Sequence, residues 1–252
     1  MKRPLVIRVL TFLAVFLAWE VYGRSVNPIL FTYPTAIARA FVELTSKGEL
    51  QRYSLQSLEV LVYGFGLAVV IGIPLGVLLA RSSTVNVALM PYLNAIYSTP
   101  TVAFIPLIVL WFGFRVPAKV VVVFLFMVFP ILINTQQGVR NLDRGLLEVA
   151  RSFCSTERQL WGDLIIPSAL PFIVAGINLA IGRGLVGMIV AEFFTSVAGL
   201  GYMIVQYANS FETAKLFVPI VVVMCLGVSL IGLTRLLEHK IAPWRRSETE
   251  QP

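Results

Sequence analysis

The chain has one histidine, His239, and two widely separated cysteines, Cys154 and Cys225. That leaves no imidazole–thiolate metal cluster, no Cys-x-x-Cys redox pair and no disulfide framework. Charge is also scarce: Asp, Glu, Lys and Arg make up 13% of the 252 residues, against 58% hydrophobic and a mean hydropathy of +0.85. Soluble globular domains carry roughly a quarter charged residues, so a soluble enzyme is a poor reading of this composition. The net charge of +7 does not indicate nucleic acid, because such a partner needs a solvated basic face and little of this sequence is solvated. The excess of apolar residues points to the lipid bilayer. Catalytic signatures are missing too: there is no Gly-x-Ser-x-Gly elbow, no His-Glu-x-x-His and no Gly-x-x-x-x-Gly-Lys-Ser/Thr phosphate loop.

What is present is a series of long uncharged runs. Val60 to Ala80 is 21 residues, Val120 to Val139 is 20, and Leu164 to Gly182 and Leu216 to Thr234 are 19 each. Each suffices for one spanning helix, which needs about 20 residues. Between Arg81 and Arg115 lie 33 uncharged residues, which as one straight helix would reach roughly 50 Å against a hydrocarbon core of about 30 Å. Pro91, Pro100 and Pro106 fall inside this run, so the sequence predicts a kinked helix over residues 87 to 112 with its weak point at Ser98-Thr99-Pro100. Lys2, Arg3 and Arg8 precede the apolar stretch Val9 to Trp19, which reads as an uncleaved signal anchor.

These runs predict an all-α polytopic membrane protein with about six transmembrane helices, near residues 7–23, 57–80, 87–112, 118–138, 168–194 and 215–236. With the N-terminus inside, 12 of the 20 basic residues fall in cytoplasmic segments and 7 on the other side. The positive-inside rule thus favours both termini in the cytoplasm. Gly64, Ala68, Gly72 and Gly76 recur every four residues, as do Gly176, Ala180 and Gly184, giving two small-residue faces suited to close helix packing.

The one long polar segment lies between the fourth and fifth spans. Arg140, Arg144, Arg151 and Arg158 are set against Asp143, Glu148, Glu157 and Asp163. Leu146, Leu147, Ala150 and Phe153 fall at helical spacing, and Thr156-Glu157-Arg158-Gln159 fits a capping box. Two short helices are expected, turning at Phe153 to Ser155, with the second ending before Pro167. Connections between packed helices usually take two to eight residues, so this segment exceeds what a connection requires, and its apolar residues need a cover outside the bilayer.

Within it, Glu148-Val149-Ala150, then Cys154, then Leu164-Ile165-Ile166-Pro167 resembles the EAA loop of ABC importer permeases, whose pattern is Glu-Ala-Ala, three residues, Gly, nine residues, Ile-x-Leu-Pro. Pro130 to Asn134, Gly138-Val139-Arg140, Pro171, Gly176, Ala191-Glu192, Gly199-Leu200-Gly201-Tyr202 and Pro243-Trp244-Arg245 are similar to the nitrate, sulfonate and taurine branch. The resemblance covers roughly residues 55 to 246. It departs at Val149, where the pattern has Ala, and at Cys154, where it has Gly. A left-handed backbone at Cys154 would cost roughly 1 to 3 kcal/mol.

The resemblance implies one permease domain over 1–252, with a signal-anchor span at 7–23, a core at 55–240 and a cytoplasmic coupling loop at 140–167. It implies two ATP-binding subunits, a second permease copy giving a homodimer, and an extracytoplasmic solute-binding protein, in a bacterial inner membrane. The chain would bind no cofactor directly, ATP being handled by the partner ATPase. Leu147, Glu148, Ala150, Arg151, Phe153, Cys154 and Pro167 would form the ATPase-coupling element. The cargo would be a small anion or organic solute such as nitrate, sulfonate or taurine.

Ser98, Thr99 and Arg183 are the pathway candidates. An arginine at the centre of a span costs about 3 kcal/mol on insertion scales, so Arg183 needs a partner or water. Glu192 lies nine positions on, on the opposite helix face. Two readings remain, a pathway role towards an anion and a bond to carbonyls freed at a proline. Glu59 and Glu192 are expected near the outer interface, where charge costs little. The rival class, a self-sufficient secondary transporter or channel, calls for an internal repeat or paired midplane charges, and the sequence offers no convincing instance of either.

Overall fold

The computed structural model describes residues 2–241, and among these the only regular elements are helices. In chain order they are α1 (Lys2–Ser25), α2 (Pro34–Ser46), α3 (Glu49–Arg81), α4 (Ser83–Ser98), α5 (Ile105–Phe112), α6 (Val116–Arg140), α7 (Arg144–Ser152), α8 (Glu157–Gln159), α9 (Ile166–Thr195), α10 (Leu200–Asn209) and α11 (Thr213–Ile241). Five helical runs are long and apolar enough to cross a bilayer, and α4 with α5 makes a sixth span that is broken by 89°. The six expected spans are therefore recovered.

The third span differs from the single kinked helix expected over 87–112. Pro100 drives Thr99 into an extended conformation (ψ 134°), a 3-10 turn follows at Thr101–Phe104, and α5 restarts with a proline in its first turn. Two prolines six residues apart leave no room for a regular turn between them, so the chain bends sharply instead of kinking. The hydroxyls of Ser98 and Thr99 both donate to the Ala95 carbonyl, at 3.1 and 2.8 Å, and so satisfy the end of α4.

The core is organised around α6, which packs along α3 on one side and α9 on the other. Its buried face includes Val123, Met127, Val128, Ile131 and Leu132. Both small-residue stripes close onto it. A Cβ added at Gly64 would lie 2.7 Å from Val123 Cβ, and one at Gly176 would lie 2.8 Å from Asn134 Cβ. A second core joins α2, α10 and α11 through Ile37, Leu44, Leu200, Met203, Tyr207 and Val218. It lies at the end of the bundle remote from the 141–165 segment, because Arg81, the last residue of α3, stacks on Trp161 at 5.2 Å. There Tyr207 donates to Glu49 Oε2 at 2.9 Å, and burial together with that carboxylate pushes the phenol well above its ordinary pKa.

Helices α2 and α10 lie outside the six spans that the sequence predicts. Pro34 in the first turn, with Ile37, Ala40 and Leu44 buried on one face, is the sequence signal for α2. From Val6 onward helix α1 leaves nearly all of its apolar side chains exposed, as a helix surrounded by lipid does, and it is fixed near its end by Trp19 Nε1 donating to the Thr32 carbonyl at 2.9 Å.

Candidate functional site

The 141–165 segment is built from local caps. Asp143 Oδ1 accepts from Gly145 N at 2.7 Å and starts α7. At its other end, Ser155 N donates to the Ala150 carbonyl at 3.2 Å and Cys154 N donates to the Arg151 carbonyl at 2.9 Å. These are the two bonds of a Schellman motif, and they place Cys154 at the position that is usually a left-handed glycine. Its φ is +55°. Thr156 and Gln159 then form the expected capping box.

The second helix does not end before Pro167 as expected. A π-helical turn at Leu160–Ile165 carries the chain without interruption into α9. A regular α-helix would press the Pro167 ring against the Asp163 carbonyl, and the widened turn directly before it removes that conflict.

No residue of α7 is buried. Glu148 and Arg151 are exposed, Leu147 and Ala150 are half-buried, Cys154 is exposed, Pro167 is half-buried, and Phe153 is 81% exposed beside the exposed Leu146 and Val149. Among the described residues no ion pair occupies Glu148 or Arg151. The base of the segment is nonetheless fixed: Leu160 is buried, Trp161 meets Arg81, and Arg140 donates to the Leu79 carbonyl at 3.2 Å. The result is an amphipathic helix held between fixed flanking segments, whose Leu146, Val149, Phe153, Glu148 and Arg151 side chains are left exposed among the described residues.

Midway along α9, Arg183 is exposed, and its guanidinium lies 5.4 Å from the centre of the Tyr97 ring. Among the described residues it donates no hydrogen bond and has no carboxylate in ion-pair range, so the bond to proline-freed carbonyls is not formed. A cavity of about 200 Å³ opens there, lined by Tyr97, Thr101, Leu125, Phe126, Phe129, Arg183 and Val186. Ser98 and Thr99 do not line it. Tyr97 and Thr101, on either side of them, do.

The sequence expectation for Glu192 is corrected outright. It is fully buried rather than at an interface where charge is cheap. Oε1 accepts from Ser57 Oγ and Oε2 from Gly201 N, each at 2.7 Å, while Ser57 Oγ accepts from Leu200 N at 2.8 Å. The buried Lys119 donates to the Ala198 carbonyl at 2.6 Å. The turn between α9 and α10 is thereby stitched to α3 and α6. Gly199 has φ +108°, and a side chain there would overlap the Glu192 carboxylate. Glu59, by contrast, is exposed.

Residues 72–243 match the family described as the binding-protein-dependent transport system inner membrane component. The chain belongs to that family. It is 35% identical over 231 residues to an aliphatic sulfonates transport permease protein of Bacillus subtilis strain 168, spanning 91% of this chain and 84% of that one. It is 31% identical over 240 residues to the formylaminopyrimidine transport permease protein of Halalkalibacterium halodurans, spanning 95% and 96% respectively. In fold it is similar to an inward-facing structure of the MetNI methionine ABC transporter, with a TM-score of 0.58 at 21% identity over 77% of this chain and 94% of that chain.

The protein is thus a multi-pass inner-membrane permease subunit of an ATP-driven importer, in a family that works with ATPase subunits and a solute-binding protein. In this permease the glycine of the family loop pattern is replaced by a strained cysteine, which gives a direct expectation. Cys154→Gly should stabilise the α7 turn, since the left-handed conformation costs an L-residue about 1 to 2 kcal/mol. Cys154→Val should destabilise it, because a β-branched side chain crowds the backbone most at positive φ. Hydrogen exchange of the amides of residues 150–156 in the purified permease measures both. Equal protection in the two variants would show that φ at this position carries no strain.

Proposed function

We propose that this permease forms the path of a small anionic or organic solute such as nitrate, a sulfonate or taurine, and that residues 140–167 couple it to the ATPase. The observation that supports the coupling assignment is the amphipathic helix α7, set between fixed flanking segments and with no buried residue among the described ones. Leu147, Ala150 and Phe153 supply its apolar contact, and Glu148 and Arg151 supply charge-assisted hydrogen bonds. Cys154 sets the turn, and Pro167 starts the span that the loop moves. Two ATP-binding subunits act on a permease homodimer, with both termini and the 140–167 loop in the cytoplasm. The solute is delivered by the solute-binding protein from the other side. The permease binds no ATP and hydrolyses none, consistent with the absence of a phosphate loop from its sequence.

The test is reconstitution of the permease in vesicles with and without its ATPase, using ethanesulfonate, nitrate and taurine as solutes. Uptake is expected only with the ATPase, the solute-binding protein and ATP together. Uptake by the permease alone under a proton or sodium gradient would overturn the assignment in favour of a secondary transporter. A cysteine at position 145, in a background lacking Cys154 and Cys225, checks orientation. A membrane-impermeant thiol reagent should leave it unmodified in intact cells.

A further inference from the structure

We propose that Arg183, Tyr97 and Thr101 form an anion subsite on the solute path. It takes the oxyanion head of a small organic acid, with the solute's carbon body against Phe126, Phe129 and Val186. This rests on the reading of the permease as an importer of small anions and extends it to a place and a chemical class.

Two independent observations meet at this point. The first is an exposed arginine halfway along an apolar span, with its hydrogen-bond donors unused among the described residues. Lipid is a costly surrounding for that guanidinium, so the face that bears it lines water or protein. The second is the broken span. Non-helical backbone at membrane depth persists where it is buried or lines a water-filled cavity; here the helix is interrupted at Thr99 and Pro100, and the residues on either side, Tyr97 in the last turn of α4 and Thr101 at the start of the 3-10 turn, line the cavity that holds Arg183. One residue alone would be a packing detail. A free guanidinium and a helix break sharing one cavity describe a polar point on a path.

The chemistry of the lining selects the ligand. A planar guanidinium pairs with two oxygens of a sulfonate, carboxylate or nitrate at once. Tyr97 and Thr101 add two hydroxyl groups, and Leu125, Phe126, Phe129 and Val186 are apolar. No carboxylate lines the cavity, so an ammonium group finds no counter-charge there. Simple alkanesulfonates should accordingly occupy the subsite more tightly than zwitterions of the same size.

The test uses the complete permease–ATPase complex in nanodiscs and radiolabelled ethanesulfonate as the probe. Propionate, nitrate, taurine and ethyltrimethylammonium serve as competitors. Arg183→Gln should weaken probe binding by roughly 10- to 100-fold, the range of a lost charge-assisted hydrogen bond. Thr101→Val should weaken it less. Arg183→Lys keeps the charge but loses the fork and should fall between wild type and Gln, which keeps the test decisive if the Gln variant fails to assemble. Binding of the probe to Arg183→Lys and Thr101→Val at wild-type strength would overturn the subsite, and so would competition by ethyltrimethylammonium as effective as that by propionate. ATP-driven uptake by the same complex reconstituted in vesicles with the solute-binding protein separates the two levels of inference. If wild type imports none of the anions, the anion-importer reading fails and the subsite falls with it. If wild type imports ethanesulfonate and Arg183→Gln does so with the same apparent affinity, the importer reading stands and only the subsite is lost.

Discussion

Glu192→Leu is expected to cost this permease much of its stability. The substitution removes the acceptor of two buried donors, Ser57 Oγ and Gly201 N, in a place where water does not reach. An unsatisfied buried donor costs about 1 to 3 kcal/mol, so the pair amounts to about 2 to 6 kcal/mol, comparable with the whole margin of many proteins. The effect should spread beyond the side chain, because the same cluster holds the α9–α10 turn against α3 and α6. Glu192→Gln should lie between wild type and Leu, since an amide oxygen replaces one acceptor while its NH₂ group meets a donor at the other position. Thermal unfolding of the purified permease measures all three. A melting temperature of the Leu variant within a degree or so of wild type would show that the cluster is not stabilising. Gly199→Ala should fail in the same way for a steric reason, as its Cβ would overlap the carboxylate and its φ of +108° disfavours a side chain.

The second large effect is expected at α7, the proposed coupling helix. Phe153→Ala and Glu148→Lys should leave the melting temperature unchanged, because both residues are exposed and touch no core. Their consequence should appear in the complex. Removal of a large aromatic anchor from the centre of an interface commonly costs 2 kcal/mol or more, which lowers ATPase retention by roughly 30-fold. Reversal of charge at Glu148 replaces a proposed attraction with repulsion. Co-purification of the ATPase with each variant is the measurement. Full retention by Phe153→Ala would remove α7 from the proposed contact, and full retention by Glu148→Lys alone would restrict the contact to its apolar face. The two sets of variants make opposite demands. Loss at Glu192 should destabilise the permease itself, whereas loss at α7 should leave a stable permease without its motor.

Much of this architecture is legible in the sequence because a bilayer enforces simple local rules. A span needs about 20 apolar residues and closes all its backbone hydrogen bonds within itself. Uncharged runs such as Val60 to Ala80 and Val120 to Val139 therefore mark helices directly. The same locality made the capping box at Thr156 and the turn at Cys154 readable, since a cap is decided by residues within one or two turns. Local rules do not fix what a helix face meets. The helical period puts Glu192 on a different face from Arg183 but does not say what lies opposite either of them. The prolines at 100 and 106 promise a break, but its angle depends on what α5 finds to pack against, which is α6, through Ile105, Ile108 and Val109 beside Ala118 and Val122.

The sequence by itself thus determined the helical membrane class, the number of spans and the long polar loop between the fourth and fifth. Each of these depends on composition or spacing within a few tens of residues. Only the tertiary structure decided that Glu192 is a buried acceptor for Ser57 and Gly201, that Tyr97 and Thr101 rather than Ser98 and Thr99 share a cavity with Arg183, and that α7 is left uncovered. Each of those depends on which helices pack along α6 and at what rotation, and that arrangement is set by close contacts between residues far apart in sequence.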